Sequence, residues 1–433
     1  MTNLNSPISA AGTSGAVCGC PDFTLSRRRL LATAAAGAGT LAGASLIGDA
    51  FRQVAYGATT GGNVVVVLSL RGGSDGLSIV VPRGPGEPEA LQLRRPSLAI
   101  DPLTLVGGDA NFGLHPALDP LMPMWSAGTF GAVHGVGLPM SNRSHFDAMN
   151  DMEDADPGST ARVGWINRMI GTTALPEEHL ALGTSMIPLQ LAGPRPSLAV
   201  GSVNELELPS LWADQRLGAA ITKSWKGTGT LNRSVQQAVA TTKRLRSLAG
   251  TDMEAASAPY PDGSLKRVLA NTAALIKADV GARIVTIDYG NWDMHEGQGA
   301  PTPGNWMYDH LAHLANSLVA FFADLGPDAN RVTLITLSEF GRRIDENGQG
   351  SSAGTDHGYA NAVLMLGAGV NGGQVNGYSR WRPLDTRSDG DVALSWDYRS
   401  VIWEVLKHRF PDISGKRSTI FPGFSPEVVG SMR

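Results

Sequence analysis

Arg283-Ile-Val-Thr-Ile-Asp-Tyr289 and Val332-Thr-Leu-Ile-Thr-Leu-Ser338 are the two stretches that decide the fold predicted for this chain. Each is a short and nearly continuous apolar run, which is typical of a strand buried on both faces of a parallel sheet. A helical pattern over 308–325 separates them, and strand, helix and strand in this order predict a right-handed parallel crossover. The sequence therefore predicts an α/β protein with a mostly parallel central sheet.

The same signals continue on either side of this unit. Asn63–Leu70 contains four consecutive valines, which favours another strand buried on both faces. From 151 to 261 the periodicity weakens, apart from a predicted helix at Leu231–Leu248, so this region is a candidate cap insertion or subdomain. The remaining predicted elements are strands at Thr129–His134 and Ala362–Leu366 and helices at Gly263–Lys277, Tyr308–Leu325 and Tyr398–Phe410, the last with Asp397 as its N-cap.

Metal-competent side chains follow both of the runs that define the sheet. Asp293 and His295 come after the first run, and Glu339 and the pair Asp356-His357 come after the second. Ligands in open α/β sheets bind beyond the carboxyl ends of the strands. Imidazole nitrogens and carboxylate oxygens at this edge would suit zinc or manganese. The alternative for the first pair is a solvated loop or a helix cap.

Glu339 and the Asp356-His357 pair each allow more than one interpretation. A carboxylate directly after a buried strand must be solvated, paired or coordinated, and Glu339 has Arg342 and Arg343 nearby in the sequence as ion-pair partners. Asp356 and His357 would bind two neighbouring metals, one each, or Asp356 would orient the imidazole. The alternative for this pair is a hydrogen-bonded turn in a loop.

Two further segments supply groups for catalysis. Ser141-Asn-Arg143-Ser144-His145-Phe-Asp147 offers hydroxyl, guanidinium, imidazole and carboxylate groups, and Arg71 and Asp75 follow the strand Asn63–Leu70. A serine beside a metal can ionise into a nucleophile, and an arginine can bind an anionic substrate in fork geometry. The alternative is an N-cap followed by a helix over 147–154. Four other histidines are expected to be structural: His115 and His134 as buried rings, and His310 and His313 within the helix Tyr308–Leu325.

The first 58 residues are predicted to be an export signal. Ser26-Arg-Arg-Arg-Leu-Leu31 opens an uncharged stretch rich in Ala and Gly that continues to Ile47, and Ala55-Tyr-Gly-Ala58 offers small residues to a signal peptidase. These features indicate the twin-arginine translocase as a partner during export, a mature chain that starts near Thr59, and a periplasmic or extracellular destination. The alternative, a retained membrane anchor, would need about 20 strongly apolar residues.

Composition excludes several classes of function. Cys18 and Cys20 both lie in the predicted signal, so the mature chain is predicted to have no cysteine nucleophile, cysteine-ligated zinc, disulfide or iron–sulfur cluster. The net charge of −4 provides no basic surface for nucleic acid. Nothing after the signal is long and apolar enough to predict a stable membrane span.

Five stretches of the chain carry a resemblance when they are taken in order. They are Val64–Pro82 with Arg71-Gly-Gly-Ser-Asp-Gly76, Asn142-Arg-Ser-His-Phe-Asp147, Trp292-Asp-Met-His295, Leu337-Ser-Glu-Phe-Gly-Arg342 and Gly354-Thr-Asp-His-Gly358. Together they resemble a bacterial family of twin-arginine-exported proteins called domain of unknown function 1501. The resemblance covers nearly the whole of the predicted mature chain. The family is grouped with the alkaline phosphatase and sulfatase superfamily and has no settled activity of its own.

The resemblance implies an alkaline phosphatase-like, three-layer α/β sandwich over residues 59–433, with 151–261 as the inserted cap. It also implies two metals, usually zinc or manganese, and an activated serine, threonine or formylglycine that hydrolyses phosphate or sulfate esters. Ser144 would be the nucleophile, with Ser141 in reserve because Ser141-x-x-x-His145 is similar to the serine loop of cofactor-independent phosphoglycerate mutases. The implied metal ligands are Asp75, Asp293, His295, Glu339, Asp356 and His357.

The chain departs from the superfamily pattern at two ligand positions. The superfamily pair reads Asp-x-x-x-His where this chain has Asp293-x-His295, and Glu339-Phe340 stands where Asp-His is usual. A missing imidazole would leave one metal site weak or empty. Without cysteine, formylglycine generated from that residue is impossible, which argues against the common sulfatase mechanism.

The sequence therefore predicts an exported metal-dependent hydrolase of phosphate or sulfate esters. One or two divalent ions would bind an anionic ester, Ser144 or a metal-bound hydroxide would attack it, and Arg71 or Arg143 would neutralise developing charge. His145 completes the set of candidate catalytic residues. The alternative is a non-catalytic exported protein that keeps the fold and binds a polysaccharide or a partner chain.

Overall fold

A mixed sheet of nine strands is the centre of the fold in the computed structural model. The structure describes residues 52–56, 61–170, 181–182, 189–194, 215–229, 231–232, 235–236, 253–279, 282–384 and 389–433. In spatial order the strands are β12 (Val375–Asn376), β5 (Phe130–Gly137), β11 (Asn361–Gly367), β8 (Val332–Leu337), β2 (Val64–Leu70), β7 (Ala282–Tyr289), β1 (Arg52–Tyr56) and β6 (Ala181–Leu182), with β13 (Trp396–Asp397) paired to β5.

Most of these strands run in one direction. β2 pairs in parallel with both β7 and β8, which contain the two apolar runs that predict the sheet. β12 and β13 are parallel to β5. β11 and β1 are antiparallel to their neighbours and run against the other strands. The predicted α/β class with a mostly parallel sheet is confirmed, and β2 lies between the two strands of the crossover.

Helices and two small sheets complete the part of the chain that the structure describes. Asp397 caps helix α10 (Tyr398–Arg409) as predicted, because its side chain accepts a hydrogen bond from the backbone N–H of Arg399. The small sheets pair β3 (Val80–Pro82) with β4 (Phe112–Leu114), and β9 (Arg342–Asn347) with β10 (Gly354–His357). The helices are α1 (Gly76–Ile79), α2 (Glu87–Arg94), α3 (Met122–Ser126), α4 (His145–Asp154), α5 (Trp165–Ile170), α6 (Gln215–Ser224), α7 (Met253–Ser257), α8 (Ser264–Lys277), α9 (Trp306–Leu325), α10 (Tyr398–Arg409) and α11 (Arg417–Ile420).

Hydrophobic cores lie on both faces of the sheet. Val64, Val66 and Leu68 of β2 belong to a core shared with α8 and α9. Val65 and Val67 belong to a second core shared with α4, α5 and α10. Successive residues of a strand point to opposite faces, so helices cover the sheet on both sides. Because β2, β7 and β8 are parallel, the segments after their carboxyl ends lie at one common edge.

Several predictions fall wholly or partly outside the described residues. Most of the predicted export signal at 1–58 lies there, although β1 falls inside that segment. Most of the predicted helix Leu231–Leu248 also lies there, and the candidate cap at 151–261 is described only in pieces that include α5, α6 and α7. The signal and the cap therefore stay predictions. Among the described residues, none of the helices has the length and hydropathy needed to cross a bilayer.

Candidate metal centre

Helix α4 begins at His145, directly after its N-cap. The Ser144 hydroxyl accepts a hydrogen bond from the backbone N–H of Asp147 at 3.4 Å, and the Asn142 side chain accepts one from the N–H of Ser144 at 3.0 Å. Serine is a favoured N-cap because its oxygen satisfies an N–H group that the helix leaves unpaired. The N-cap interpretation of this segment is confirmed. Ser141 and Ser144 are both exposed.

The loop after β7 lies directly against β10. The backbone N–H of Thr355 donates to the carbonyl oxygen of Met294 at 2.9 Å. A Cβ atom on Gly354 would lie 2.3 Å from the carbonyl group of His295, so only glycine permits this approach of the two backbones. The contact brings His295 beside Asp356 and the residue that follows it, which are 61 and 62 positions away in the sequence.

Three imidazoles and one carboxylate meet at this edge of the sheet. His357 Nε2 lies 3.0 Å from His145 Nε2 and 2.9 Å from His295 Nε2. Asp293 Oδ1 lies 3.1 Å from His295 Nε2 and 3.2 Å from His357 Nε2, and Asp293 Oδ2 lies 3.4 Å from His145 Nε2. His145, Asp293 and His357 offer ligand atoms that all lie within 4.8 Å of one another, a group that can hold a metal ion.

The other ring nitrogen of each imidazole, Nδ1, donates to an oxygen atom. Carboxylate and carbonyl oxygens only accept hydrogen bonds, so the proton of each neutral ring is on Nδ1 and each Nε2 presents a lone pair. Metal-binding histidines usually have their second nitrogen held in this way. The pairs are His145 with Glu339 Oε1 at 2.9 Å, His295 with Asp356 Oδ1 at 2.9 Å, and His357 with the carbonyl oxygen of Arg143 at 2.8 Å.

The spacing of the ligand atoms matches that of a tetrahedral zinc site. Zinc bonds of about 2.0–2.1 Å place the ligand atoms of a regular tetrahedron about 3.3 Å apart. The two Nε2 atoms of His145 and His357 are 3.0 Å apart, and the carboxylate of Asp293 lies 3.2 Å from the second through Oδ1 and 3.4 Å from the first through Oδ2. Lone pairs that face one another at this range repel unless a cation lies between them. The donor set therefore fits a metal ion.

Arg342 joins the segments that carry these groups. Its side chain is only 1% exposed, and its guanidinium donates to Asp293 Oδ1 at 2.7 Å. Although partial burial opposes the effect, this hydrogen bond lowers the pKa of Asp293. One side chain thus ties together the segments after β2 and β7 and the strand β10. Its other acceptors are the carbonyl oxygens of Gly72, Gly73, Trp292 and Thr355.

Glu339 supports His145 from a buried position. Its Oε1 also accepts the backbone N–H of Gly72 at 2.8 Å. Burial alone would raise the pKa of Glu339, but its hydrogen bonds to His145 and to Gly72 lower it, and the first of them raises the pKa of His145. The alternative ion pair of Glu339 is replaced by other contacts, because Arg342 binds Asp293 and Arg343 binds a backbone carbonyl oxygen.

Asp75, which the resemblance places among the ligands, lies in a separate buried network. Its Oδ2 accepts hydrogen bonds from Ser78 at 2.5 Å, Arg95 at 2.7 Å and Gln298 at 2.8 Å. Burial alone would raise the pKa of Asp75, but the charge of Arg95 lowers it. A buried carboxylate must be paired, and Arg95 supplies that partner. Asp75 therefore holds the segment after β2 in place, and the structure does not bring it to the group around Asp293.

Arg71 is also paired inside the protein. Its Nη2 lies 2.6 Å from Glu153 Oε1 and 2.9 Å from Asp288 Oδ2. Both carboxylates are buried, and burial raises the pKa of each. Glu153 belongs to α4, so this network fastens the helix that begins with His145 to the sheet. The charge of Arg71 is thereby compensated.

Arg143 keeps a more exposed side chain. Its Nη2 lies 2.5 Å from Asp391 Oδ2, and 43% of the side chain is exposed. The carbonyl oxygen of Arg143 accepts the hydrogen bond from His357 Nδ1, and this contact fixes the backbone of Arg143 at the rim of the centre. Of the two arginines that the sequence offers for charge neutralisation, Arg143 is the one with an exposed guanidinium.

Sequence reasoning missed the roles of two residues. It assigns His145 to catalysis and considers Arg342 only as one of two alternative ion-pair partners of Glu339. The structure places His145 among the metal-competent groups and Arg342 against Asp293. A signal for His145 exists, because zinc favours several imidazoles and four of the nine histidines are already assigned to structural roles. His115, His134, His310 and His313 indeed lie in cores or helices away from this group.

The fold and the centre together define an α/β protein with a candidate metal centre beyond the carboxyl ends of its parallel strands. Residues 110–382, more than half of the chain, match the family described as "Protein of unknown function (DUF1501)". The chain therefore belongs to this family. The matched range contains His145, Asp293, Arg342 and His357, whereas Arg71 and Asp75 lie before it. No curated protein and no solved structure matches the chain.

Proposed function

We propose that the protein is an exported metal-dependent hydrolase of phosphate or sulfate esters. The observation that carries the proposal is the convergence of three Nε2 lone pairs on the carboxylate of Asp293. The centre faces solvent, since 46% of the Asp293 side chain and 42% of the His295 side chain are exposed. An ester could therefore approach the ligand atoms directly.

Zinc or manganese suits this donor set best, as one or two divalent ions. Neutral imidazole and carboxylate ligands favour these metals, and the part of the chain that the structure describes adds no thiolate. A divalent ion bound here would polarise an ester and help to ionise a nucleophile. The bound ester would be anionic, because phosphate and sulfate groups carry negative charge at neutral pH.

The residues around the centre supply the remaining roles. Ser144 precedes His145 and is exposed, so its hydroxyl is the candidate nucleophile once it leaves the N-cap hydrogen bond. Arg143 would bind the anionic group of the substrate, because its guanidinium is exposed and its backbone is fixed by His357. Arg71 is less suited to this role, since it is less exposed and two buried carboxylates, Glu153 and Asp288, pair with it, whereas Arg143 pairs with one, Asp391.

A second candidate function is that of a non-catalytic exported binding or assembly protein. Structural zinc sites are closed by four protein ligands. His145, Asp293 and His357 form one group of three, and His295 Nε2, which lies 2.9 Å from His357 Nε2, is the candidate for the fourth. A metal bound by all four would fasten the loops without leaving a position for a substrate.

The proposal is tested by metal analysis and an ester panel on the same purified protein. We expect bound zinc or manganese by plasma emission analysis, and metal-dependent hydrolysis of an aryl phosphate or an aryl sulfate ester. His357→Ala should lose the metal and the hydrolysis together, because this ring contacts every other group of the centre. His408→Ala is the matched control, since this exposed histidine lies in the last turn of α10.

The outcomes separate the two candidate functions. Bound metal without hydrolysis, and with loss of thermal stability after His357→Ala, would favour the non-catalytic protein. If the protein binds neither zinc nor manganese and hydrolyses none of the esters, both candidate functions are contradicted.

A further inference from the structure

His357 lies between the other two imidazoles of the centre. Its Nε2 is 3.0 Å from His145 Nε2 and 2.9 Å from His295 Nε2. An unprotonated imidazole nitrogen has a single lone pair and binds a single ion. Two ions, one beside His145 and one beside His295, would compete for this nitrogen.

Two of the three carboxylates at the centre are already used to orient imidazoles. Glu339 Oε1 accepts from His145 Nδ1 and from a backbone N–H group. Asp356 Oδ1 accepts from His295 Nδ1 and from the side-chain amide of Asn347 at 3.1 Å. Asp293 is the carboxylate that faces the Nε2 atoms. A second ion beside His295 would therefore have to share Asp293, whose Oδ1 lies 3.1 Å from His295 Nε2.

Arg342 already places a cation on Asp293. Its Nη2 lies 2.7 Å from Asp293 Oδ1, while Asp293 Oδ2 faces His145. Backbone carbonyl oxygens hold the guanidinium on its other sides, and the side chain is buried, so it has no room to swing away. Arginine stays protonated at any physiological pH. A permanent positive charge, that of the Arg342 guanidinium, therefore lies beside one oxygen of Asp293.

We infer that the centre holds one divalent ion, and that the guanidinium of Arg342 takes the place of a second cation on Asp293. The inference rests on the proposed metal binding but not on hydrolysis. The inference also specifies one ion, whereas the sequence is compatible with one or two.

Titration of the metal-free protein with Zn²⁺ alone tests the number of ions. The full chain is stripped with a chelator, and the heat of binding is followed by isothermal titration calorimetry together with metal content after dialysis. We expect a single break at one equivalent of Zn²⁺ per chain. A break at two equivalents, with two ions retained after dialysis, would overturn the inference.

Substitutions at position 342 test the role of the guanidinium. Arg342→Met removes the charge, so we expect a second and weaker equivalent of Zn²⁺ to bind, while Arg342→Lys keeps the charge and should stay at one. Arg343→Met is the matched control, because the neighbouring Arg343 donates to the carbonyl oxygen of Asp389 and not to Asp293. It should also bind one equivalent.

Circular dichroism shows first whether each variant folds. A folded Arg342→Met protein that still binds one equivalent would refute the role of Arg342. If Arg342→Met does not fold, Arg342→Lys tests whether the positive charge at position 342 limits the centre to one ion. One equivalent of Zn²⁺ in the lysine variant would support this role of the charge, and two equivalents would contradict it. One equivalent without ester hydrolysis would leave this inference intact and contradict only the hydrolase.

Discussion

At the scale of single residues, the hydrogen bond at Nδ1 separates the histidines of the centre from the structural ones. In His145, His295 and His357, Nδ1 donates to an oxygen atom, which leaves Nε2 as a lone pair. In His115 and His134, Nδ1 accepts a backbone N–H group, so the proton of the neutral ring is on Nε2. The same side chain is therefore a candidate metal ligand in one setting and a buried acceptor in the other.

Ser144 has two candidate roles that one substitution separates. Asparagine caps a helix as well as serine does, but it has no hydroxyl that could ionise. We expect Ser144→Asn to keep the free energy of unfolding within about 0.5 kcal/mol of the original protein and to abolish ester hydrolysis with unchanged metal content. Urea unfolding, metal analysis and the hydrolysis rate of an aryl phosphate measure the three quantities.

Ser144→Ala is the companion variant, because alanine lacks both the hydroxyl and a capping oxygen. It should lose hydrolysis as well as about 0.5–2 kcal/mol of unfolding free energy. Hydrolysis that survives in Ser144→Asn would show that Ser144 serves only as the N-cap of α4.

At the scale of elements, the centre depends on backbone segments that approach more closely than side chains would permit. A Cβ on Gly72 would lie 2.6 Å from the backbone nitrogen of Asp293, and a Cβ on Gly358 would lie 2.4 Å from the carbonyl carbon of Arg342. Gly354 stands in the same relation to His295. These glycines let the segments after β2, β7 and β8 meet at one point.

Gly354→Ala should therefore push β10 away from the loop that carries His295. The new Cβ would lie 2.3 Å from the His295 carbonyl group, and relief of this overlap should lower the free energy of unfolding by about 1–3 kcal/mol. The hydrogen bond from His295 to Asp356 would be displaced, so we expect Zn²⁺ affinity to fall by about 10–100-fold. Calorimetric titration and urea unfolding measure both effects.

Gly415→Ala is the control for this substitution, because a Cβ there meets no atom within 4 Å. It should leave Zn²⁺ affinity unchanged. Unchanged affinity in Gly354→Ala as well would show that the packing of β10 against the loop does not position the ligands.

The strands themselves can be predicted from the sequence, but their order cannot. Each buried strand leaves a local apolar pattern, and Asn63–Leu70, Arg283–Tyr289 and Val332–Ser338 are found as strands within a residue or two of the predicted bounds. The position of β2 between β7 and β8 depends on packing between distant segments, which no local pattern contains.

The same limit applies to the site. Asp293, His295 and His357 can be predicted as neighbours because the direction of parallel strands places them at one edge. The partner of Arg342 cannot, because sequence proximity favours Glu339 whereas the contact is to Asp293, 49 positions away. Local spacing in the sequence predicts which kinds of groups lie at this edge of the sheet. Tertiary contacts determine which of these groups face the candidate metal position and which orient the imidazoles.

At the scale of the whole molecule, buried rings make stability depend on pH. Burial lowers the pKa of His115 and of His134 to about 4, although the nearby charge of Asp75 opposes the shift. In an unfolded chain each ring would titrate near 6.5. Between these values the unfolded chain binds protons that the folded chain does not, so stability falls as the pH falls.

We expect the free energy of unfolding to decrease as the pH is lowered from about 6.5 to about 4, by about 1.4 kcal/mol per pH unit for each of the two rings. Urea unfolding at a series of pH values measures this slope, in the presence of a chelator so that metal binding adds no pH dependence. His115→Asn keeps an acceptor for the backbone N–H of Ala117 but has no proton to bind. Its slope should therefore be smaller by about 1.4 kcal/mol per pH unit in this window. Equal slopes in the two proteins would mean that His115 is already protonated when folded, because the slope counts the protons that unfolding takes up.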